Sequence, residues 1–353
     1  MPDTANSSID LRLEQLRDWL VNALKLPVRQ IAVASADASF RRYFRVSVDG
    51  TRIAMDAPPE KEDIAPFLHV ARLLAEHVHV PQIFASDTQQ GFVLLEDLGA
   101  TPMLQALQAG DSAQVDHYYA DALRALAALQ SGALAAARQL QPYDAAVLER
   151  EMQLLPEWFC NKHLGLVLAA DEQQLLRRTF DFLIAEADLQ PRVFVHRDYH
   201  SRNLMITAQH SPGVIDFQDA LRGPVGYDLV SLLKDCYIRL PRERVETWLR
   251  DYRKLLGVVT DTAAGGAGQL LCGGSEREFM RWFDMIGLQR HIKVLGIFAR
   301  LYHRDGKPGY LQDLPLTLHY VRDAAARYGE LQEFARWVEA RLVPGRAAKS
   351  VAL

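Results

Sequence analysis

Cysteine is scarce in this 353-residue chain, which contains only Cys160, Cys236 and Cys272. Their number is odd, their spacing is wide, and no Cys-x-x-Cys pair occurs. We therefore expect neither a disulfide framework nor a cysteine zinc site, and the composition fits a reducing compartment.

Long apolar runs and a charge excess are also missing. No stretch approaches the roughly 18 apolar residues of a membrane-spanning helix, and the charged N-terminal segment has no signal-peptide pattern. The chain has 40 basic and 44 acidic residues, a net charge of −4, which argues against a strongly basic nucleic-acid-binding face. We expect a cytoplasmic protein that binds neither membrane nor nucleic acid, and we favour a monomer over an oligomer.

The order of predicted elements indicates an α+β fold with two lobes. An amphipathic helix is predicted over 9–24, and residues 30–96 predict three strands, a helix and two further strands, with a turn signal at VDGT. Helical spacing dominates from residue 100, interrupted by the short β pieces RVFV, NLMIT and GVIDF. The sequence thus predicts a β-rich N-terminal lobe over 1–98 and a helical C-terminal lobe over 99–353.

One short stretch, VHRDYHSRNLM, crowds charged and hydrogen-bonding groups between apolar residues. Phosphoryl transfer to an alcohol needs a carboxylate for the hydroxyl proton and oxygen ligands for Mg²⁺, and the pattern H-R-D-x-x-x-x-N supplies both. Asp198 is then the predicted base and Asn203 a predicted Mg²⁺ ligand. A hairpin formed by NLMIT and GVIDF brings Asp216 back beside Asn203 as a second ligand. The alternative is a solvated surface turn, which does not explain all three residues.

With these motifs, and with GVIDFQDALRGPVGYDLVSLL and FVLLEDLG, the chain resembles the aminoglycoside phosphotransferase family of kinase-like enzymes. The resemblance covers roughly residues 30–310 and implies a bilobal protein-kinase-like fold, with ATP and Mg²⁺ as cofactors. The adenine is expected against the hinge backbone of Glu96, Asp97 and Leu98. Within the family, the chain looks most like kinases that phosphorylate the anomeric hydroxyl of cell-wall amino sugars, which implies N-acetylmuramate or N-acetylglucosamine as acceptor.

The predicted phosphate loop departs from the family pattern, because ADASFRRYFRV lacks glycines. We expect backbone amides and the side chains of Ser39, Phe40, Arg41 and Arg42 to bind the nucleotide there; an exposed basic hairpin is the alternative. Met55 stands where kinases of this kind have a strand lysine. The sequence offers Lys61, Arg42 and Arg45 as replacements and does not choose among them.

The remaining candidates concern loop support and the acceptor. His196 is expected to brace the catalytic loop, and Asp228 to support it, with Arg197 as a structural ion-pair partner of Asp228. Polar and aromatic side chains that could bind a sugar are Glu157, Trp158, His200, Arg202, Asp219, Arg290 and His291. Core packing and surface charge are the alternative explanation for these seven.

Three functions remain open at this point. The first is a sugar 1-kinase, and the second is a kinase of another small alcohol, such as an aminoglycoside, choline or homoserine. The third is a non-catalytic binding protein with a kinase fold, which Met55 suggests. The joint presence of Asp198, Asn203 and Asp216 argues against the third, and the basic bias of the C-terminal helices favours a neutral or anionic acceptor over a cationic one.

Overall fold

The computed structural model describes residues 10–36, 40–257 and 271–343. In it a five-stranded sheet precedes a larger set of helices. The expected α+β class, with a mostly antiparallel sheet and one helix in its N-terminal part, is confirmed. Within the described ranges, each helix is too short or too polar to cross a lipid bilayer.

The sheet has the strand order β1-β2-β3-β5-β4, and every neighbouring pair is antiparallel. Its strands are β1 Gln30–Ala36, β2 Arg42–Val48, β3 Gly50–Asp56, β4 Ile83–Asp87 and β5 Phe92–Glu96. Helix α2, Ala65–Leu74, connects β3 to β4 and has Pro66 in its first turn, where proline is well tolerated. The predicted order of three strands, a helix and two strands is confirmed.

Helix α1, Leu11–Asp18, packs on the sheet, and the helices after β5 form the helical part. In the described residues the helices are α1 Leu11–Asp18, α3 Met103–Ala109, α4 Ser112–Gly132, α5 Leu134–Ala137, α6 Ala145–Met152, α7 Ala170–Asp188, α8 Gly226–Leu233, α9 Arg242–Gly257, α10 Glu276–His303, α11 Leu314–Arg327 and α12 Gln332–Trp337. The described residues also include π-helical segments at Trp19–Ala23, Leu155–His163 and Val338–Leu342, and 3₁₀ turns at Pro308–Asp313 and Gly329–Leu331. Four short strands are β6 Arg192–Val195, β7 Leu204–Met205, β8 Gly213–Val214 and β9 Leu221–Pro224.

Both faces of the five-stranded sheet are buried. Phe44 of β2 lies opposite Ala54 of β3, and both pack in a small core under α1. Successive strand residues alternate between faces, so the neighbouring set of Tyr43, Met55 and Val93 points the other way. Met55 and Val93 join the main core, which continues through α2 into the helical part. The division of the chain at residue 98 stays a prediction.

The catalytic-loop motif lies between two pairs of short strands. β6 pairs with β9, and β7 pairs with β8, both antiparallel. The loop of residues 196–203 therefore leaves one strand pair and enters the other. The predicted hairpin of NLMIT with GVIDF is confirmed by the β7–β8 pairing, and it places residue 216 close to residue 203.

Candidate active site

The loop between β6 and β7 is held in place by a buried carboxylate of α8. Asp228 Oδ2 accepts a hydrogen bond from the backbone N–H of His196 at 2.7 Å, and Oδ1 accepts one from the backbone N–H of Arg197 at 2.9 Å. Arg197 has a φ of +78°, which is rare for a residue with a side chain. Burial raises the pKa of Asp228 to about 7, although both backbone donors act in the opposite direction. Asp228 thus stabilises the strained backbone at Arg197, and both of its carboxylate oxygens accept hydrogen bonds from the loop.

The side chain of His196 connects this loop to the strand that carries Asp216. Its Nδ1 accepts a hydrogen bond from the backbone N–H of Asp198 at 3.2 Å. Its Nε2 lies 3.1 Å from the carbonyl oxygen of Ile215 and donates to it. Burial lowers the pKa of His196 to about 4, so the ring is neutral at physiological pH and can fill both roles at once. The structure therefore gives His196 backbone contacts on both sides of the loop.

Asp198 lies among positive charges from helix α10 and its own loop. Burial alone would raise the pKa of Asp198, but Lys293, Arg290 and Arg197 outweigh it and lower that pKa below the ordinary value. Asp198 is consequently ionised at neutral pH. A carboxylate in this state can accept or orient the proton of a substrate hydroxyl.

A buried ion-pair network lies behind Asp198. Arg197 and Lys293 both pair with Glu151, the latter at 2.9 Å, and Gln289 Nε2 donates to the same carboxylate at 3.3 Å. The sequence suggested Asp228 as the ion-pair partner of Arg197, and this is wrong. Asp228 accepts the backbone N–H of Arg197, while the guanidinium pairs with Glu151. The network fixes the positions of Arg197 and Lys293, two of the cations near Asp198.

Asn203 and Asp216 lie side by side in front of the loop. Asn203 Nδ2 donates to the backbone oxygen of Asp198 at 3.0 Å and to Asp216 Oδ2 at 3.3 Å. With the amide nitrogen used in this way, the amide oxygen is directed elsewhere and can act as a ligand. The carboxylate of Asp216, at a φ of +64°, also accepts from Gln218 Nε2 at 2.9 Å. One carboxylate and one amide oxygen are hard donors of the kind that Mg²⁺ prefers, so the pair fits this ion.

The residues predicted for the phosphate loop separate in the structure. Ser39 lies outside the described residues, and the side chain of Phe40 is 62% exposed. Arg41 is buried and forms an ion pair with Glu62. Arg42 lies on the opposite face of the sheet, where it pairs with Asp10 and Asp56 beside α1. The structure therefore does not bring Arg42 to the cleft, because neighbouring residues of a strand point to opposite faces.

The predicted hinge, Glu96 to Leu98, connects β5 to the helical part. The backbone N–H of Glu96 donates to Gln82 O at 2.9 Å. Asp97 holds Arg45 in a two-point ion pair, with Nε–Oδ2 at 2.7 Å and Nη2–Oδ1 at 3.0 Å. Leu98 packs directly on Gly213 of β8, where a Cβ atom would come within 2.7 Å of the leucine. The side chains of this segment thus make protein contacts, and its backbone remains the candidate for adenine.

Three predicted acceptor residues lie near Asp198. His200 is buried, its Nδ1 has no hydrogen-bond partner within the described part of the chain, and its ring meets Tyr237 edge-on at 5.3 Å. The guanidinium of Arg202 lies over the Tyr237 ring at 3.6 Å. The guanidinium of Arg290 is buried beside Asp198, with Cys236 Sγ at 3.7 Å as a weak hydrogen-bond partner. These side chains form one polar wall next to the predicted base.

The other four acceptor candidates have different surroundings. His291 Nε2 lies 2.9 Å from the carbonyl oxygen of Lys234, on the far side of α10. Glu157 lines a separate cavity of about 630 Å³ against α7, and Trp158 packs half-buried on the main core. Asp219 is exposed on the loop after Asp216, where its backbone oxygen accepts from Arg197. The structure does not bring Glu157 or His291 to the catalytic loop.

Several polar residues at the site were missed by the sequence reasoning. Lys293 could have been found, because it lies three residues after Arg290 and so shares a face of α10. Asp235 accepts from both the backbone N–H and the hydroxyl of Ser201 in the catalytic loop. Asp313 ends a 3₁₀ turn 3.8 Å from Arg202, and its Oδ2 has no hydrogen-bond partner in the described residues. No motif in the sequence pointed to Asp235 or Asp313.

Several proteins with assigned names are similar to this chain in sequence. Residues 30–265 match the model of a family described as "phosphotransferase enzyme family". The chain is 45% identical to an N-acetylmuramate/N-acetylglucosamine kinase of Pseudomonas aeruginosa, over 92% of this chain and 96% of the relative. It is 43% identical to the kinase of the same name from Neisseria meningitidis, over 90% and 92%.

Solved structures give the same fold at low sequence identity. An ADP-bound aminoglycoside phosphotransferase superposes with a TM-score of 0.56 at 14% identity, covering 87% of this chain and 97% of its own. An ethanolamine kinase of Plasmodium vivax superposes with a TM-score of 0.59 at 12% identity, covering 90% and 92%. This similarity confirms the expected bilobal, protein-kinase-like fold.

Proposed function

Because this chain belongs to the phosphotransferase enzyme family, we propose that it is a sugar 1-kinase. It transfers the γ-phosphoryl group of ATP to the anomeric (C1) hydroxyl of N-acetylmuramate and N-acetylglucosamine, in the reuse of cell-wall sugars. The names of relatives at 42–45% identity support these acceptors. The observation that carries the chemistry is the contact of Asn203 with both Asp198 and Asp216.

In the proposed reaction Asp198 accepts the proton of the C1 hydroxyl, while the oxygen of that hydroxyl forms a bond to the γ-phosphorus of ATP. The bond from that phosphorus to the bridging oxygen of ATP breaks, and ADP leaves with the electron pair. Asp198 is ionised before the reaction, because the cations around it lower its pKa. An anomeric hydroxyl is more acidic than an ordinary alcohol, so a weakly basic carboxylate suits it.

We place the nucleotide between two lobes. The N-terminal lobe, residues 1–98, contains the sheet, and the C-terminal lobe, residues 99–353, is the helical part. The adenine of the nucleotide contacts the backbone of residues 96–98. Asp216 and Asn203 hold Mg²⁺, which when bound neutralises negative charge on the phosphates. Asn203 also fixes the position of Asp198 through its hydrogen bond to the carbonyl oxygen of that residue.

The polar wall beside Asp198 supplies the acceptor site in this proposal. His200 Nδ1 and Asp313 Oδ2 are buried polar atoms without a hydrogen-bond partner in the described residues, although Asp313 Oδ2 lies 3.8 Å from Arg202, and sugar hydroxyls would satisfy both. Tyr237, already covered on one side by Arg202, offers an apolar surface for a sugar ring. Arg290 lies close enough to Asp198 for their charges to interact, and it suits an anionic acceptor such as N-acetylmuramate.

A kinase of cationic alcohols is the alternative. Arg202, Arg290 and Lys293 place three cations around the proposed acceptor site. Lys293 and Arg202 are each paired with a carboxylate, Glu151 and Asp313 respectively. Arg290 is therefore the cation that disfavours a cationic alcohol beside the proposed base, and the names of the relatives favour the amino sugars.

An acceptor panel tests the proposal. The pure protein would be incubated with ATP, Mg²⁺ and, in turn, N-acetylmuramate, N-acetylglucosamine, an aminoglycoside, choline and homoserine, with ADP release as the signal. We expect kcat/KM for the two amino sugars to exceed the others by roughly 100-fold or more, because a site that hydrogen-bonds its substrate rejects analogues strongly. Equal or better turnover of choline or an aminoglycoside would overturn the proposal.

A further inference from the structure

The position of β3 where the kinase pattern leads us to expect a lysine is apolar in this chain. Met55 lies beside Tyr43 and Val93 in the sheet, and its side chain is fully buried in the main core. A thioether has no charge and donates no hydrogen bond to phosphate. Any cation that binds the nucleotide phosphates from the sheet side must therefore come from another residue.

The three replacements suggested by the sequence are engaged elsewhere. Arg42 pairs with Asp10 and Asp56 on the face covered by α1. Arg45 is held by Asp97 and by the carbonyl oxygen of Gly99 at 2.9 Å. Lys61 is exposed to solvent, with its ammonium group over the Phe40 ring at 5.3 Å.

Arg41 occupies a different environment from these cations. Its side chain is 8% exposed and pairs with Glu62, which lies just before α2. Its guanidinium lies 6.0 Å from the centre of the Phe67 ring, and Phe67 stacks at 4.9 Å on Phe217, the residue after Asp216. Burial alone would lower the pKa of Arg41, but Tyr43, Glu62 and, to a smaller extent, Asp216 raise it. Arg41 is thus a buried cation between α2 and the proposed metal ligand.

We propose that Arg41 binds the phosphates of the nucleotide in place of the missing strand lysine, and that Glu62 is its positioning residue. This inference rests on the proposed function. A guanidinium is planar and can donate two parallel hydrogen bonds to one phosphate group, so it can do more than replace the charge of a lysine. Arg41 immediately precedes β2, whereas the lysine expected in kinases lies on β3. The phosphate-binding cation of this chain therefore lies one strand away from the expected position.

Glu62 fits the role of a positioning residue because it fixes the orientation of the arginine. The carboxylate is about one-fifth exposed and contacts Arg41 from the side of α2. The ion pair therefore connects the end of the phosphate loop to α2, and Phe67 and Phe217 extend the connection to Asp216. A purely structural ion pair would make the same contacts, so a test must detect phosphate binding specifically.

Calorimetric titration of nucleotides separates the two roles of Arg41. Arg41→Ala should weaken ATP binding by roughly 10- to 100-fold, since a hydrogen bond to a charged group is lost. The affinity for adenosine, which has no phosphate, should stay within about twofold. Arg41→Lys should recover part of the loss for ATP, because it restores the charge without the paired donors.

The neighbouring Arg42 gives a matched control. Arg42→Ala removes the same charge one residue away, on the opposite face of the sheet. It should lower Tm through loss of the pair with Asp56 but leave ATP affinity within about twofold. If Arg42→Ala weakened ATP binding as much as Arg41→Ala did, the assignment of the phosphate contact to Arg41 would be wrong.

The role of Glu62 is tested by a double-mutant cycle. Glu62→Gln alone should weaken ATP binding by less than Arg41→Ala, while Glu60→Gln, an exposed control, should have no effect. The double variant of Arg41→Ala and Glu62→Gln should bind ATP no more weakly than Arg41→Ala, because Glu62 acts through Arg41. Losses that simply add would show that Glu62 does not act through the arginine.

The outcomes distinguish this inference from the proposed function. If the parent enzyme phosphorylates an amino sugar and Arg41→Ala binds ATP as tightly as the parent, Arg41 does not contact phosphate, and only the inference fails. If ATP and adenosine affinities fall together in Arg41→Ala, the ion pair is structural and the inference is again wrong. If the parent binds no ATP, the proposed function itself fails.

Discussion

At the scale of single residues, the density of charge in VHRDYHSRNLM has a structural explanation. Most of these groups hold the loop: His196 contacts backbone on both sides of it, and Arg197 pairs with Glu151. Asp198 and Asn203 are left facing the cleft with Asp216. The chemistry therefore depends on few side chains, whose positions are fixed by many others.

Asp198→Asn tests the base directly. The amide has nearly the same shape but cannot accept the hydroxyl proton, so turnover of N-acetylglucosamine should fall by roughly 10²–10⁴-fold. The low end of this range is expected, since an anomeric hydroxyl needs less help from a base. Initial rates measure the loss, and calorimetry should show ATP affinity close to that of the parent. Turnover within a few-fold of the parent would exclude Asp198 as the base.

The two proposed metal ligands should respond differently to removal. Asp216→Ala removes a charged ligand from an ion that supplies several kcal/mol of stabilisation, and turnover should fall by roughly 100-fold or more. Asn203→Ala removes a neutral ligand, so added Mg²⁺ should restore part of its activity. Rates measured across a Mg²⁺ titration check both expectations. Near-normal activity of Asp216→Ala at ordinary Mg²⁺ would contradict its assignment.

Asp313 gives a pH-dependent prediction. Burial raises the pKa of Asp313 to about 6, although Arg202 acts to lower it. Since the pKa is higher in the folded state than in the unfolded state, folding takes up a proton between about pH 4 and 6. The contribution of this group to stability is thus complete below about pH 4 and is lost as the pH rises through about 6.

Asp313→Asn removes this titration. The Tm difference, variant minus parent, should become more positive between pH 4.5 and pH 7, because only the parent loses the contribution. Thermal unfolding of both proteins across this range is the measurement. A difference that stayed constant, or that became more negative with pH, would show that Asp313 is not shifted as described.

The proximity of the catalytic-loop residues could be predicted from the fixed spacing of a motif, whereas their roles stay predictions and other positions depend on geometry that the sequence does not show. Asp198, Asn203 and Asp216 were named from their spacing along the chain, and the structure brings them together. The choice between Arg41 and Arg42 could not be made from sequence. Alternation within β2 places Arg42 on the face of Phe44 and Val46. It does not show which face of the sheet is turned toward the nucleotide, because both faces pack against a core.

At the scale of elements, helix α10 organises the helical part of the chain. It is buried on most sides and packs against α7, α8, α11 and the segment Leu155–His163. The same helix supplies Arg290 and Lys293 to the site. The position of the proposed acceptor wall therefore depends on how closely this helix approaches its neighbours.

Gly296 and Gly287 test that packing on one helix. A Cβ atom at Gly296 would lie 2.4 Å from the backbone of Leu154, whereas one at Gly287 would meet Val230 at an ordinary 3.4 Å. Gly296→Ala should lower the free energy of unfolding by roughly 2 kcal/mol or more through overpacking. Gly287→Ala should be neutral or should stabilise by up to about 1 kcal/mol, because alanine favours helix. Urea denaturation measures both, and equal stabilities would refute the close approach at Gly296.

Most elements could be predicted because their signals are local. The succession of strands and helix along the chain followed from turn residues and short apolar pieces, and the β7–β8 hairpin from its flanking motif. The π-helical segments were not predicted, and one of them, Leu155–His163, packs against α10, which lies far away in the sequence. Glu157 was assigned to the acceptor for this reason, since helical spacing alone did not show which side of that segment faces the site.

At the scale of the whole molecule, the overall charge and the charge of the site differ. The chain has a net charge of −4, yet Lys293, Arg290 and Arg197 lie around Asp198. A local cluster of this kind favours neutral or anionic acceptors without making the surface basic. Composition led us to expect no nucleic-acid-binding face, and this stays a prediction. Composition could not reveal the cluster, because its members come from separate parts of the chain.

The central claim is that this protein phosphorylates the C1 hydroxyl of an amino sugar at the expense of ATP. The most direct measurement compares N-acetylglucosamine with its 1-deoxy analogue, using ³¹P NMR to locate the phosphate in the product. The account predicts a phosphate coupled to the anomeric proton and no product from the 1-deoxy analogue. A phosphate on another carbon, or comparable turnover of the 1-deoxy analogue, would contradict it.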